Sequence, residues 1–221
     1  MKHNYKLIIF DMDGTLVDTE RLYVKSLEMA CKERGFSLND EQASKIIYGK
    51  AWSCIFKDLK KITGRLFSSI EELQKCCSLH FERMLESQEL EIKSSVKLLR
   101  QLAQDTQICI VSGSSREHIA YFIESLDISN EVDFYLGSED YEIGKPDPQC
   151  FLKAAQHAAV EAAQCLVFED SNAGVSAAKN AGMDCVGLKS PQNPQNISHA
   201  DLIVSCLSQF SFQLLNQKTY Q

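Results

Sequence analysis

Four apolar residues, Leu7 to Phe10, run directly into Asp11, and a second acid, Asp13, follows two positions later with Gly14 behind it. An unbroken apolar run of this length suits a strand buried on both faces, and the acid and glycine after it are turn chemistry. Such an opening commits the chain to a sheet covered by helices on both sides, with two carboxylates at one end of its first strand. Carboxylates held that close repel, and the pair persists where a cation, a shared proton or a reacting substrate compensates. The rest of the sequence must supply that compensation.

After this strand the pattern becomes helical. From Thr19 to Arg34, Leu22, Leu27, Ala30 and Cys31 share a face, with Asp18 as the expected cap and Gly35 as the stop. Asn39 reads as the N-cap of a second helix that Gly49 closes. Trp52, Ile55, Phe56 and Leu59 form a third stripe ending near Gly64, and Ile70, Leu73, Cys77, Phe81 and Leu85 mark a helix from Ser69 to Glu89. About seventy residues therefore lack any strand signal. This predicts a small helical domain, residues 19–90, inserted into a core made of residues 1–18 and 91–221.

From Ser94 onward, short apolar strands alternate with helices. Strands are expected at Ile108–Val111, in DFYLG, at Cys165–Phe168, in DCVGL and in DLIV. Asp147, followed by Pro148 as a first helical residue, predicts one helix start, and Ser171 predicts another. The fold class expected is α/β: a Rossmann-like, mostly parallel sheet with helices on both faces, plus the inserted all-helical domain.

Composition narrows the function. A net charge of -7 argues against binding to nucleic acid or to an anionic membrane, which calls for a basic surplus. Any anionic ligand must be held by a local reversal of the field, through a metal ion or a few lysines. Nine cysteines, an odd number with no CxxC pair, read as reduced thiols, and the N-terminal apolar run is too short for a signal sequence. The expectation is a soluble, cytoplasmic, monomeric protein.

Open sheets of this kind bind ligands at the C-terminal ends of their strands. There the sequence places Asp11 and Asp13, then Ser112, then Glu169 and Asp170, and Lys145 lies in a glycine- and proline-framed loop. Several acids at one pocket make an all-oxygen site for a hard cation, and Mg²⁺ takes one or two carboxylates while sharing a substrate phosphate. Ser112, the amide of Gly113 and the ammonium of Lys145 are suitable phosphate donors. With the phosphoryl charge neutralised, a carboxylate such as Asp11 can attack phosphorus, and Asp13 can handle the proton of the leaving oxygen.

The segments DMDGTLVDTE, VSGSS, GKPDP and FEDSNAGVSAAKNAGM, in this order, resemble the four motifs of the haloacid dehalogenase superfamily. The resemblance covers nearly the whole chain. It points to the branch with a helical cap after the first strand, which includes beta-phosphoglucomutase-like proteins and sugar-phosphate phosphatases. It implies Asp11 as the nucleophile and Asp13 as the general acid and base. Ser112, Gly113 and Lys145 would hold the phosphoryl group. Asp11, Asp13 through its backbone carbonyl, Asp170, and Glu169 directly or through water, would surround Mg²⁺.

The activity expected is Mg²⁺-dependent hydrolysis of a small phosphorylated metabolite, a sugar or polyol phosphate, through an aspartyl-phosphate. A phosphomutase is the alternative, and two departures count against it: Tyr23 and Trp52 stand where the mutase pattern has a histidine and an arginine. A non-catalytic receiver or phosphate-binding module is less consistent, because a receiver carries its acceptor aspartate on a middle strand, where this chain has VSGSS. Asp13 disfavours dehalogenation, which needs no proton donor there. Lys50, Trp52 and Arg116 are candidate substrate contacts, each weighed against a simpler role: a surface lysine, a core tryptophan and a solvated arginine.

Overall fold

The computed structural model describes residues 4–48, 50, 52–85, 89–190 and 195–218. The chain forms two compact units, one from the described parts of residues 1–17, 91–190 and 195–221, the other from those of Asp18–Leu90. The strands are β1 (Leu7–Phe10), β2 (Gln107–Val111), β3 (Phe134–Leu136), β4 (Cys165–Glu169), β5 (Asp184–Leu188) and β6 (Leu202–Val204). The second unit holds helices α1 (Thr19–Glu33), α2 (Asp40–Ile47), α3 (Trp52–Thr63) and α4 (Ile70–Leu85). The first holds α5 (Lys93–Leu102), α6 (Arg116–Ser125), α7 (Gln149–His157), α8 (Asn172–Asn180) and α9 (Phe212–Lys218).

The six strands form one parallel sheet in the order β3-β2-β1-β4-β5-β6. The order reverses direction between β1 and β4, and a doubly wound sheet opens its ligand crevice at that switch point. Register sets what meets there. Phe10, the last residue of β1, lies level with Ile110 and Phe168, so Asp11, Ser112 and Glu169 to Asp170 leave the sheet as neighbours.

Alternate residues of each strand point to opposite faces. Leu7 and Ile9 of β1, with Cys109, Val111, Cys165, Val167 and Cys185, pack against Cys150, Phe151 and Ala154 of α7 and Val175, Ala177 and Ala178 of α8. On the other face Phe10 stacks on Phe168 with centroids 4.7 Å apart, and Phe210 meets Phe168 edge-on at 5.0 Å. Phe10 and Phe168 are fully buried, each worth about 1.5–3 kcal/mol in apolar transfer. None of the nine cysteines is in a disulfide. Among the described residues, no helix is long and apolar enough to cross a membrane.

The second unit has its own core of Val24, Leu27, Ala30 and Cys31 from α1, Ile46 and Ile47 from α2, Ile55 and Leu59 from α3, and Leu73 and Cys77 from α4. Helix α2 starts in a capping box, in which Asn39 Oδ1 accepts from Gln42 N–H and Gln42 Oε1 accepts from Asn39 N–H. At the start of α4, Glu72 accepts from Ser68 N–H at 2.7 Å, from the Ser68 hydroxyl, and from Arg34 of the α1 C-cap at 2.8 Å.

The segments joining the units run side by side. Ile92 N–H donates to Leu16 O at 2.9 Å, Val17 and Glu91 form an antiparallel bridge, and Asp18 N–H donates to Leu90 O at 2.9 Å.

Some local expectations shift. Asp18 occupies the N-cap position of α1, but its side chain makes no capping hydrogen bond. Helix α7 begins at Gln149 with Pro148 as its cap, and Asp147 still caps the turn by accepting Gln149 N–H at 2.9 Å. Helix α4 is described over Ile70–Leu85, and residues 86–88 of its expected extent to Glu89 lie outside the described residues. Gly49, expected to close α2, lies outside the described residues.

Candidate active site

Asp11 follows β1 and is 6% exposed. The chain then turns tightly, with Leu16 and Val17 N–H both donating to Met12 O, and Gly14 N–H to Val17 O at 2.7 Å. Gly14 has φ +86°, and a Cβ on it would lie 2.2 Å from Asp170 Oδ2. Only glycine combines that backbone with room for the Asp170 carboxylate.

Lys145 reaches the same place from the loop after β3. Its Nζ donates to Asp11 Oδ1 at 2.6 Å, to Glu169 Oε1 at 2.7 Å and to Val111 O at 3.2 Å. Burial opposes its charge, but Asp11 and Glu169 outweigh that and raise its pKa well above the usual lysine value. The other oxygen of Glu169 accepts from Ser171 N–H at 2.8 Å and from the Ser171 hydroxyl at 2.9 Å, and Ser171 in turn caps α8. Gly174 in the first turn of α8 leaves the space that Glu169 fills, since a Cβ there would lie 1.6 Å from Glu169 Oε1.

Ser112 follows β2 and is fully buried, and its hydroxyl donates to Asp13 Oδ2 at 3.0 Å. It does not cap α6; Ser115 does, accepting His118 N–H. Two contributors had no sequence signal. The Ser114 hydroxyl also donates to Asp13 Oδ2, at 2.8 Å. Tyr141 Oη donates to Ser112 O at 2.8 Å, which ties the Lys145 loop to the end of β2. Ser114 lies inside the VSGSS motif, but nothing in its spacing distinguishes a hydroxyl aimed at Asp13 from one aimed at solvent. A cavity of about 350 Å³ opens beside these groups, lined by Gly113, Ser138, Tyr141, Glu142, Gly144 and Lys145.

One ligand oxygen each from Asp11, Glu169 and Asp170 can gather within 4.8 Å. Burial, reinforced by Glu169 and Asp13, pushes the Asp11 carboxyl up to about 8 against the pull of Lys145. A buried all-carboxylate set with a single ammonium lacks positive charge, and a hard divalent cation suits both its oxygens and its deficit. The residues present therefore fit Mg²⁺.

The three remaining candidates have local partners. Lys50 donates to Asp58 at 2.8 Å and to Lys45 O at 2.6 Å. Trp52 packs on the core of the helical unit, edge-on to Tyr23 at 6.1 Å. Arg116 donates to Asp140 at 2.8 Å and to Tyr135 O at 3.2 Å, with its guanidinium 4.7 Å over the Tyr135 ring.

Comparison with known proteins gives the family. Validoxylamine A 7'-phosphate phosphatase of Streptomyces hygroscopicus subsp. limoneus is 26% identical over 93% of this chain and 95% of its own. (DL)-glycerol-3-phosphatase 2 of Arabidopsis thaliana is 30% identical over 92% of this chain and 88% of its own. The crystal structure of beta-phosphoglucomutase from Clostridium difficile superposes with a TM-score of 0.73 at 21% identity, covering 98% of this chain and 97% of that one. Residues 8–188 match the model of the haloacid dehalogenase-like hydrolases, and the chain belongs to that family.

Proposed function

We propose that the protein is a Mg²⁺-dependent phosphatase that hydrolyses a small phosphorylated metabolite, a sugar or polyol phosphate, through a phosphorylated Asp11. The observation that carries this reading is the buried meeting of Asp11, Glu169 and Asp170 with Lys145 at the β1/β4 switch point. The two named phosphatase relatives act on phosphate esters and support it.

In this reading Asp11, Glu169, Asp170 and the backbone carbonyl of Asp13 would hold the metal. When bound, Mg²⁺ neutralises phosphoryl oxygen charge so that an anionic nucleophile can approach. Lys145, Ser112 and the Gly113 amide orient the phosphoryl group beside Asp11. A carboxylate oxygen of Asp11 bonds to phosphorus as the ester P–O bond breaks, and the departing oxygen takes a proton from Asp13. Asp13 then removes a proton from water, whose oxygen attacks phosphorus. The P–O bond to Asp11 breaks, its electron pair returns to the carboxylate, and inorganic phosphate leaves.

Purified protein should release phosphate from p-nitrophenyl phosphate with Mg²⁺ and stop when a chelator is added; an undiminished rate with chelator would refute the metal assignment. Asp11→Asn should lower kcat by about a thousandfold or more while circular dichroism stays native, as expected for loss of a nucleophile. A variant that keeps most of its activity would refute that role.

The mutase alternative is weaker on one observation. Trp52 and Tyr23, which replace the two polar mutase residues, pack on each other and on the helical core. Neither supplies the cationic group that the mutase pattern has to hold a sugar bisphosphate for return of its phosphate, which favours water as the acceptor.

A further inference from the structure

The carboxylate of Asp13 is held by two hydroxyls at one oxygen, from Ser112 at 3.0 Å and from Ser114 at 2.8 Å. A serine hydroxyl has a single proton to donate. The Ser112 hydroxyl therefore cannot serve Asp13 and a phosphoryl oxygen at once, and a phosphoryl group taken up by Ser112 withdraws that donor from Asp13. Ser114 faces no such conflict. Its backbone is fixed on both sides, with N–H donating to Ser112 Oγ at 3.0 Å and C=O accepting Ser138 N–H at 2.9 Å. The Ser138 contact thus holds the Ser114 backbone beside Asp13 independently of both Asp13 and the Ser112 hydroxyl.

We infer that Ser114 is a positioning residue for proton transfer: it keeps the Asp13 carboxyl over the leaving oxygen once Ser112 has turned to the phosphoryl group. This inference rests on the reading of Asp13 as the general acid. As Asp13 gives up its proton to the leaving oxygen, the new carboxylate charge falls on the oxygens that Ser114 faces. A hydroxyl donating to a carboxylate is a strong hydrogen bond, and it gains strength as that charge develops. The Ser112 hydroxyl acts as an exchange contact, bonded to Asp13 before the substrate arrives and to the phosphoryl group afterwards. Loading of the phosphate site and release of the acid are linked through one proton.

The test is the dependence of kcat/KM on the leaving group, measured with a series of aryl phosphates of similar shape from p-nitrophenyl to p-methoxyphenyl. An acidic phenol leaves with little help, whereas a more basic one needs the proton. General acid catalysis contributes about 10²–10⁴-fold, so partial misplacement of the acid in Ser114→Ala should raise the p-nitrophenyl to p-methoxyphenyl ratio of kcat/KM about tenfold. Ser114→Thr, which keeps the hydroxyl, should restore the wild-type ratio, a rescue that a purely structural role would not give. If Ser114→Ala folds poorly by circular dichroism, Ser114→Gly replaces it under the same criterion. Asp13→Asn separates the two readings. A raised ratio in Asp13→Asn with a wild-type ratio in the Ser114 variant overturns the inference alone. A flat ratio in Asp13→Asn removes Asp13 as the acid, and the inference falls with it.

Discussion

Side chains that are absent shape this site as much as those present. Gly174 lets α8 start against Glu169, and the clash that any Cβ would cause at 1.6 Å is with a carboxylate that Ser171 and Lys145 already hold. Gly174→Ala must therefore push Glu169 out of its place. Changes that misorient groups around a metal commonly weaken binding about 10–100-fold. The expected outcome is a rise of that size in the Mg²⁺ concentration for half-maximal activity, read from a metal titration, with the fold retained. An unchanged titration would mean that Glu169 has no part in holding the cation.

The acids were legible in the sequence because a doubly buried strand tolerates only apolar residues, so Asp11, Ser112 and Glu169 each announce a strand end. Ser114 and Tyr141 were not, because a hydroxyl in a loop carries no period and its partner is fixed only by tertiary structure. Lys50 and Arg116 were legible only as charges. Asp58 and Asp140, which accept hydrogen bonds from them, lie too far along the chain for spacing to reveal.

At the scale of the element, helix ends are where charge and backbone meet. The Glu72 carboxylate in the first turn of α4 is drawn down from its ordinary 4.5 to about 2 by the Ser68 hydroxyl, the Ser68 amide and Arg34. A carboxyl whose pKa is depressed in the folded state contributes stability that is present above its unfolded value and is lost as pH falls through the folded one. The window here runs from about 4.5 down to about 2. Glu72→Gln should melt below the wild type at pH 6, and the gap in Tm should close as the pH approaches 2.5. A gap independent of pH would assign the effect to hydrogen bonding alone. Helix boundaries were readable to within a few residues from Asn39, Ser171 and Gly35, where capping chemistry is local. The starts at Asp18 and Asp147 were readable to within a residue as well, although Asp18 fills the cap position of α1 without a side-chain hydrogen bond and α7 begins at Gln149, one residue after Pro148.

At the scale of the molecule, the alternation of strands and helices from residue 94 onward predicted the parallel sheet, and topology did the rest. The switch between β1 and β4 brings together segments more than 150 residues apart, Asp11 and Asp170 among them. A whole-protein prediction follows from the choice of hydrolysis over transfer. Incubation with glucose 1-phosphate or fructose 1-phosphate should yield free phosphate, detected by molybdate assay, and recovery of an isomeric sugar phosphate would favour the mutase.

The paired segments at Leu16–Asp18 and Leu90–Ile92 carry a consequence for how such a protein can vary. The helical unit leaves and rejoins the sheet at adjacent points, so its length makes little difference to the cost of closing the chain there. Seen from the core, the insert is a hairpin whose tip happens to be a domain. A change of length among its helices therefore need not move β1 or β2.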